Sequence, residues 1–164
     1  MRVGRREALL ALAALAAGCA APTAIGPPGR DRPATPIPPE IARDAAVLAV
    51  TLVGVPYRNG GASPDSGFDC SGLVWYVYRQ AAGLALPRTT LEMERAGWPV
   101  DADEMQAGDL VFYNTLGRAF SHVGIYIGDR RFVHAPSSGG RVEIVSTQGG
   151  YWARRFSGAR RVAT

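Results

Sequence analysis

Apolar residues recur at helical spacing in two stretches of the chain and give way to strand-like runs in its second half. Ile41, Ala45, Leu48 and Leu52 follow Pro39 at intervals of three and four, predicting an amphipathic helix over 40–53 that stops at Gly54 and Pro56. The next segment, from Tyr57 to Gly67, is dense in turn formers and leads directly into Phe68-Asp69-Cys70-Ser71-Gly72. From Cys70 the apolar positions Leu73, Val74, Val77 and Ala81 again keep helical spacing, which puts Cys70 in the first turn of a second helix, on its inward face. Thr89-Thr90-Leu91-Glu92 matches a capping box and predicts a third, short helix ending near Gly97. Beyond Gly108 the pattern changes to strands over 109–114, 121–127, 131–135 and 142–145, parted by Gly128-Asp129-Arg130 and by Ser137-Ser138-Gly139-Gly140. Helices first and an antiparallel sheet afterwards define an α+β fold, with the N-terminal helices packed on the sheet.

The first 39 residues follow neither period. Arg2, Arg5 and Arg6 precede a short apolar run from Ala8 to Ala17, the layout of an export signal over 1–18 and too short to span a bilayer comfortably. Its end, Leu15-Ala16-Ala17-Gly18-Cys19, is similar to a bacterial lipoprotein signal, in which the cysteine is lipidated and becomes the new N-terminus. Between Ala20 and Pro39 stand seven prolines and almost no large apolar residue, so 19–39 reads as a stiff, lipid-anchored tether. The folded unit is then expected to occupy 40–164. Ala20 behind an acylated Cys19 points to sorting to the periplasmic face of an outer membrane.

Composition narrows the function classes. With 47 % hydrophobic residues, three tryptophans, six tyrosines and five phenylalanines, the chain has enough apolar surface for a core. The formal charge of +4 has a basic, nucleic-acid-like sign. Every basic residue is arginine, however, and with Arg2, Arg5, Arg6 and Glu7 set aside 15 arginines face 13 acids. No basic stripe interleaved with aromatics remains, and a nucleic-acid partner is not expected.

Two cysteines are present, and if Cys19 is lipidated then Cys70 is the one thiol left to the folded unit. The two histidines, His122 and His134, lie in predicted strands on either side of one tight turn. A three-residue loop at 128–130 would oppose Gly124 to His134 and set both imidazoles diagonally on one face; a two-residue loop would put them on opposite faces. A thiol at a helix N-terminus facing an imidazole suits acyl transfer, because the helix dipole and an adjacent imidazolium both favour the thiolate nucleophile. His122 is the candidate partner of Cys70, His134 a candidate to hold the His122 tautomer, and first-turn backbone N–H groups part of an oxyanion hole. Asp69 opposes thiol ionisation unless it points away or meets a substrate amine. A buried structural cysteine remains an alternative, and a zinc site lacks the usual short ligand spacings.

The ordered blocks Pro56-Tyr57-Arg58-Asn59-Gly60-Gly61, Phe68-Asp69-Cys70-Ser71-Gly72-Leu73-Val74, Gly108-Asp109-Leu110-Val111-Phe112, Ser121-His122-Val123-Gly124-Ile125-Tyr126-Ile127-Gly128 and Phe132-Val133-His134-Ala135 together resemble the NlpC family of papain-like bacterial cell-wall cysteine peptidases. The resemblance implies a papain-like core and hydrolysis of peptide bonds in peptidoglycan stem peptides, often that from γ-D-glutamate to meso-diaminopimelate. It makes Cys70 the nucleophile, His122 the general base and His134 the orienting residue, without a metal or other cofactor. Tyr57, Asp69, Ser71 and Arg88 match positions beside the nucleophile or against the substrate peptide, although Arg88 also suits a structural ion pair with a helix end. The partners so implied are stem peptides and, through the N-terminal lipid, a membrane; a monomer is expected. Competing readings are a peptidase that cuts D-alanyl to diaminopimelate cross-bridges and a non-catalytic wall-binding lipoprotein adaptor.

Overall fold

The computed structural model describes residues 35–137 and 139–164. The export segment, Cys19 and the tether up to residue 34 lie outside the described residues. Three helices fall close to their predicted places: α1 spans Pro39–Thr51, α2 Cys70–Ala82 and α3 Thr90–Ala96. Local chemistry explains their ends. Proline occupies the first position of α1, where its missing N–H costs nothing. Asp69 caps α2, accepting from the Gly72 N–H at 2.6 Å, and Gly83 closes it in the left-handed region. Thr89 caps α3 by accepting from the Glu92 N–H at 3.3 Å, while its hydroxyl donates to the Glu92 carboxylate at 2.6 Å.

Strands β1 (Ala62–Ser63) and β2 (Gly67–Phe68) form a small antiparallel pair. The main sheet has six strands in the order β3-β8-β4-β5-β6-β7, every neighbouring pair antiparallel. Four of them, β4 (Leu110–Tyr113), β5 (His122–Gly128), β6 (Arg131–His134) and β7 (Glu143–Ser146), are the predicted strands. The other two, β3 (Trp98–Val100) and β8 (Phe156–Arg161), and the one-turn helix α4 (Gly150–Ala153) are additions. Helices α1 and α2 pack together and against β5, with Ala45, Ala49, Leu73, Val74 and Val77 sharing a core with Val123 and Ile125.

Polar β8 holds a place between β3 and β4 because its arginines are matched. Arg161 makes two hydrogen bonds, at 2.9 and 2.8 Å, to the buried Asp109 carboxylate, and Arg160 pairs with Glu94 of α3. Only Ala159 of β8 is fully enclosed. The segment read as the end of a tether also joins the fold. Thr35 exchanges two backbone hydrogen bonds with Thr164, Ile37 donates to the Val162 carbonyl, and the Ile37 side chain is buried. The ordered unit therefore starts before Glu40, since prolines at 36, 38 and 39 still leave alternate N–H groups free to pair.

The turn between β5 and β6 corrects the expected loop. Asp129 and Arg130 form a two-residue turn, both with positive φ (49° and 57°), closed by the Gly128–Arg131 pair. Two-residue geometry alone would send the histidines to opposite faces. A register shift between Tyr126 and Gly128 inserts one extra residue and restores the Ile125–Val133 pairing. The pairing anticipated for a three-residue loop is thereby reached by a shorter turn and a bulge.

Candidate active site

Cys70 opens α2 and its sulfur meets the sheet at β5, where the Val123 N–H donates to it. Val123 directly follows His122, so helix and strand bring the thiol and the first imidazole to the same place. The packing of α2 on β5 thus joins residues far apart in the chain, and the pairing of β5 with β6 adds His134. His122 Nε2 lies 2.9 Å from His134 Nδ1, the rings set edge to face. With Nε2 engaged, Nδ1 is the nitrogen of His122 left for a thiol. Both imidazoles are buried, and Trp152 of α4 closes over them, its ring 5.5 Å from His122 in a stacked arrangement and 4.7 Å from His134 edge to face. Phe132 covers a further side of His134. Nothing in the sequence marks Trp152: it lies in Gly149-Gly150-Tyr151-Trp152, without periodicity, and only the return of the chain to β8 brings it onto the histidines.

Burial governs the charges. It lowers His122 to a pKa of about 4, and burial with the neighbouring His122 charge lowers His134 to about 3, from 6.5 for an open imidazole. Burial raises the Cys70 thiol, and the Asp69 charge adds to the rise; the N–H groups of Val123, Ser71 and Cys70 work against it. Neither group therefore ionises readily by itself, contrary to the standing thiolate that a helix dipole and an imidazolium lead one to expect.

Around the thiol, the residues singled out from sequence largely satisfy one another. The Asp69 carboxylate accepts from the Gly72 N–H at 2.6 Å, the Ser71 hydroxyl at 3.0 Å and the Gly60 N–H at 2.9 Å, with Arg88 at 3.7 Å. Asp69 is first the cap of α2, and Arg88 is its ion-pair partner at the helix end, stacked also over Trp75. Tyr57 is half-buried, its phenol pushed up by burial and then by the charges of Cys70 and Asp69, which places it beside the nucleophile. Gly72 and Leu73 spend their N–H groups on Asp69, whereas those of Cys70 and Ser71 lie near the sulfur and favour its ionised form.

The NlpC/P60 family model matches residues 54–161, a span that contains the thiol, both histidines and Trp152. The chain belongs to the NlpC/P60 family. Among curated proteins it is 46 % identical over 115 residues to the murein DD-endopeptidase MepH of Escherichia coli K12, an alignment covering 68 % of this chain and 42 % of that protein. It is 41 % identical over 129 residues to the gamma-DL-glutamyl hydrolase of Bacillus subtilis 168, covering 74 % of this chain and 31 % of that one. The chain thus spans less than half the length of either relative. Among solved structures it is similar to an NLP/P60-family protein from Staphylococcus aureus Mu50, described as similar to lipoprotein, with a TM-score of 0.69 and 36 % identity over 82 % of this chain and 45 % of that one. The papain-like α+β arrangement expected from the NlpC/P60 resemblance is the arrangement found.

The buried neutral histidines predict a pH dependence of stability. Between about pH 6.5 and 4 the unfolded chain binds protons that the native state refuses, so this contribution to stability is complete above 6.5 and is lost as pH falls. Urea midpoints at pH 7.5, 5.5 and 4.5 are expected to drop more steeply for the native sequence than for His122→Gln/His134→Gln. Equal slopes would remove the burial argument.

Proposed function

We propose that this NlpC/P60 protein is a thiol-dependent endopeptidase of peptidoglycan peptides. The observation that carries the reading is the meeting of Cys70, at the capped N-terminus of α2, with the residue that follows His122, while His122 is hydrogen-bonded to His134. In this mechanism His122 Nδ1 takes the Cys70 proton as sulfur attacks the scissile carbonyl and returns it to the amine, which leaves as the C–N bond breaks and the thioester forms. The Cys70 and Ser71 N–H groups steady the oxyanion, Tyr57 borders the substrate, and water releases the acyl group. Asp69, Ser71 and Arg88 support the nucleophile's turn and touch substrate from its rim.

The relatives divide over the bond. The D,L reading, γ-D-glutamyl to meso-diaminopimelate, draws on the 41 % identity to a relative named for γ-glutamyl hydrolysis. The cross-bridge reading, D-alanyl to diaminopimelate, draws on 46 % identity to the DD-endopeptidase and stands as the second. Digestion of purified monomeric and cross-linked muropeptides, followed by liquid chromatography and mass spectrometry, separates them: stem cleavage shortens monomers, whereas cross-bridge cleavage turns dimers into intact monomers. A folded protein that cuts neither would favour the adaptor reading.

We further propose that the mature protein starts at a lipidated Cys19 and sits in the cell envelope on a proline-rich tether. Intact-mass analysis of the membrane fraction is expected to show a diacylglyceryl adduct on Cys19; a mature form lacking lipid there would sink this reading.

A further inference from the structure

His134 does not end the polar chain that starts at the thiol. Its Nε2 faces the Glu143 carboxylate of β7 at 3.4 Å, out of line for a hydrogen bond in this arrangement, so the two meet by charge and dipole. The approach is built into the sheet, because His134 and Glu143 are direct partners in the β6–β7 register. The two environments differ sharply: the His134 side chain has no exposure, whereas that of Glu143 is 51 % exposed and stays hydrated. On the described contacts, the titratable groups facing the His134 ring are His122 from β5 and Glu143 from β7, the rest of its surroundings being Phe132 and Trp152.

Tautomers give this contact a consequence. One proton lies between His122 Nε2 and His134 Nδ1, and neutral imidazoles carry one N–H each. If the His134 proton sits on Nε2, His134 Nδ1 is a lone pair, His122 must donate from Nε2, and His122 Nδ1 is left bare to receive the thiol proton. If the His134 proton sits on Nδ1, it donates to His122 Nε2, and the His122 proton is driven onto Nδ1. That form cannot act as a base toward Cys70. Of the two states only the first turns an N–H toward a carboxylate, which accepts and never donates. The second aims a buried lone pair at a negative charge.

We infer that Glu143 is a positioning residue that holds His134 in the Nε2–H form and thereby keeps His122 competent as a base. The inference rests on the proposed thiol mechanism for its effect on rate, but not for its effect on protonation. Imidazole ¹⁵N chemical shifts of the whole domain at pH 7.5 read the tautomers directly. The native protein is expected to show both rings as Nε2–H. Glu143→Ala is expected to move both toward Nδ1–H, while Glu143→Gln, which keeps an acceptor oxygen at the same reach, retains the native pattern. Alongside the shifts, kcat on muropeptides should fall about tenfold in Glu143→Ala with KM unchanged, by analogy with the loss when the outer partner of a metal-bound imidazole is removed. Native tautomers persisting in Glu143→Ala would overturn the inference, as would a native His134 protonated on Nδ1. A tautomer change in a protein that cleaves no muropeptide would instead uphold Glu143 and defeat the proposed function.

Discussion

Cys70→Ala is expected to lower muropeptide cleavage by at least about 10⁴-fold while leaving the circular dichroism and unfolding midpoint close to native. The reason is chemical and local: the side chain is half-buried at a helix start whose cap is made by Asp69, so removing the sulfur deletes the nucleophile without deleting the cap. His122→Ala should fall nearly as far, because the thiol is raised by burial and, in the proposed mechanism, His122 is the imidazole that receives its proton. Combining the two should cost little beyond either one, since each removes a member of a single unit. Progress curves of the three variants on one purified muropeptide check this. Cleavage by Cys70→Ala within tenfold of native would end the thiol mechanism, and strictly additive losses would separate His122 from it.

The second large effect is structural and falls two residues from the nucleophile. On helix propensity alone, Gly72→Ala should stabilise α2 by about 1 kcal/mol. Its surroundings reverse the sign. A Cβ there would overlap the Gly61 carbonyl oxygen, which accepts the Asp69 N–H at 3.1 Å, and would come within 2.9 Å of Arg88 Nη1 and 3.0 Å of Asp69 Oδ1. The first obstacle is backbone, which cannot swing aside as the end of a long side chain can. Overpacking of this kind costs about 1–3 kcal/mol, enough to outweigh the propensity gain. The strain falls on the turn that orients Cys70, so Gly72→Ala should lose both midpoint in urea and most of its turnover. Equal or higher stability with full activity would show that the Gly60-Gly61 loop yields freely and has no part in seating the nucleophile.

The same contacts explain which features of the fold could be read in advance. Elements whose signals lie within a turn or two were legible: the Thr89 cap, the apolar stripe of α2, and the strands β4 to β7. Those stabilised by distant charges were not. Phe156-Ser157-Gly158-Ala159-Arg160-Arg161 has no strand-like alternation, and it becomes a strand because Asp109 and Glu94 stand ready for its arginines. Trp152 is a similar case, an aromatic on a single helical turn whose importance depends on what it covers.

For the site, the sequence by itself determined the chemistry on offer: one thiol at a helix start, a carboxylate directly before it, and two imidazoles flanking a tight turn. Those are matters of residue type and short-range spacing, which fix local conformation. The tertiary structure decided the rest. It chose the face shared by the histidines through a bulge that turn chemistry does not reveal, and it buried both rings so that they stay neutral. It spent Asp69 on capping α2, and it laid Glu143 beside His134 by pairing β7 with β6. Register, burial and cross-strand company depend on contacts between segments far apart in the chain, and such contacts exist only once those segments have packed.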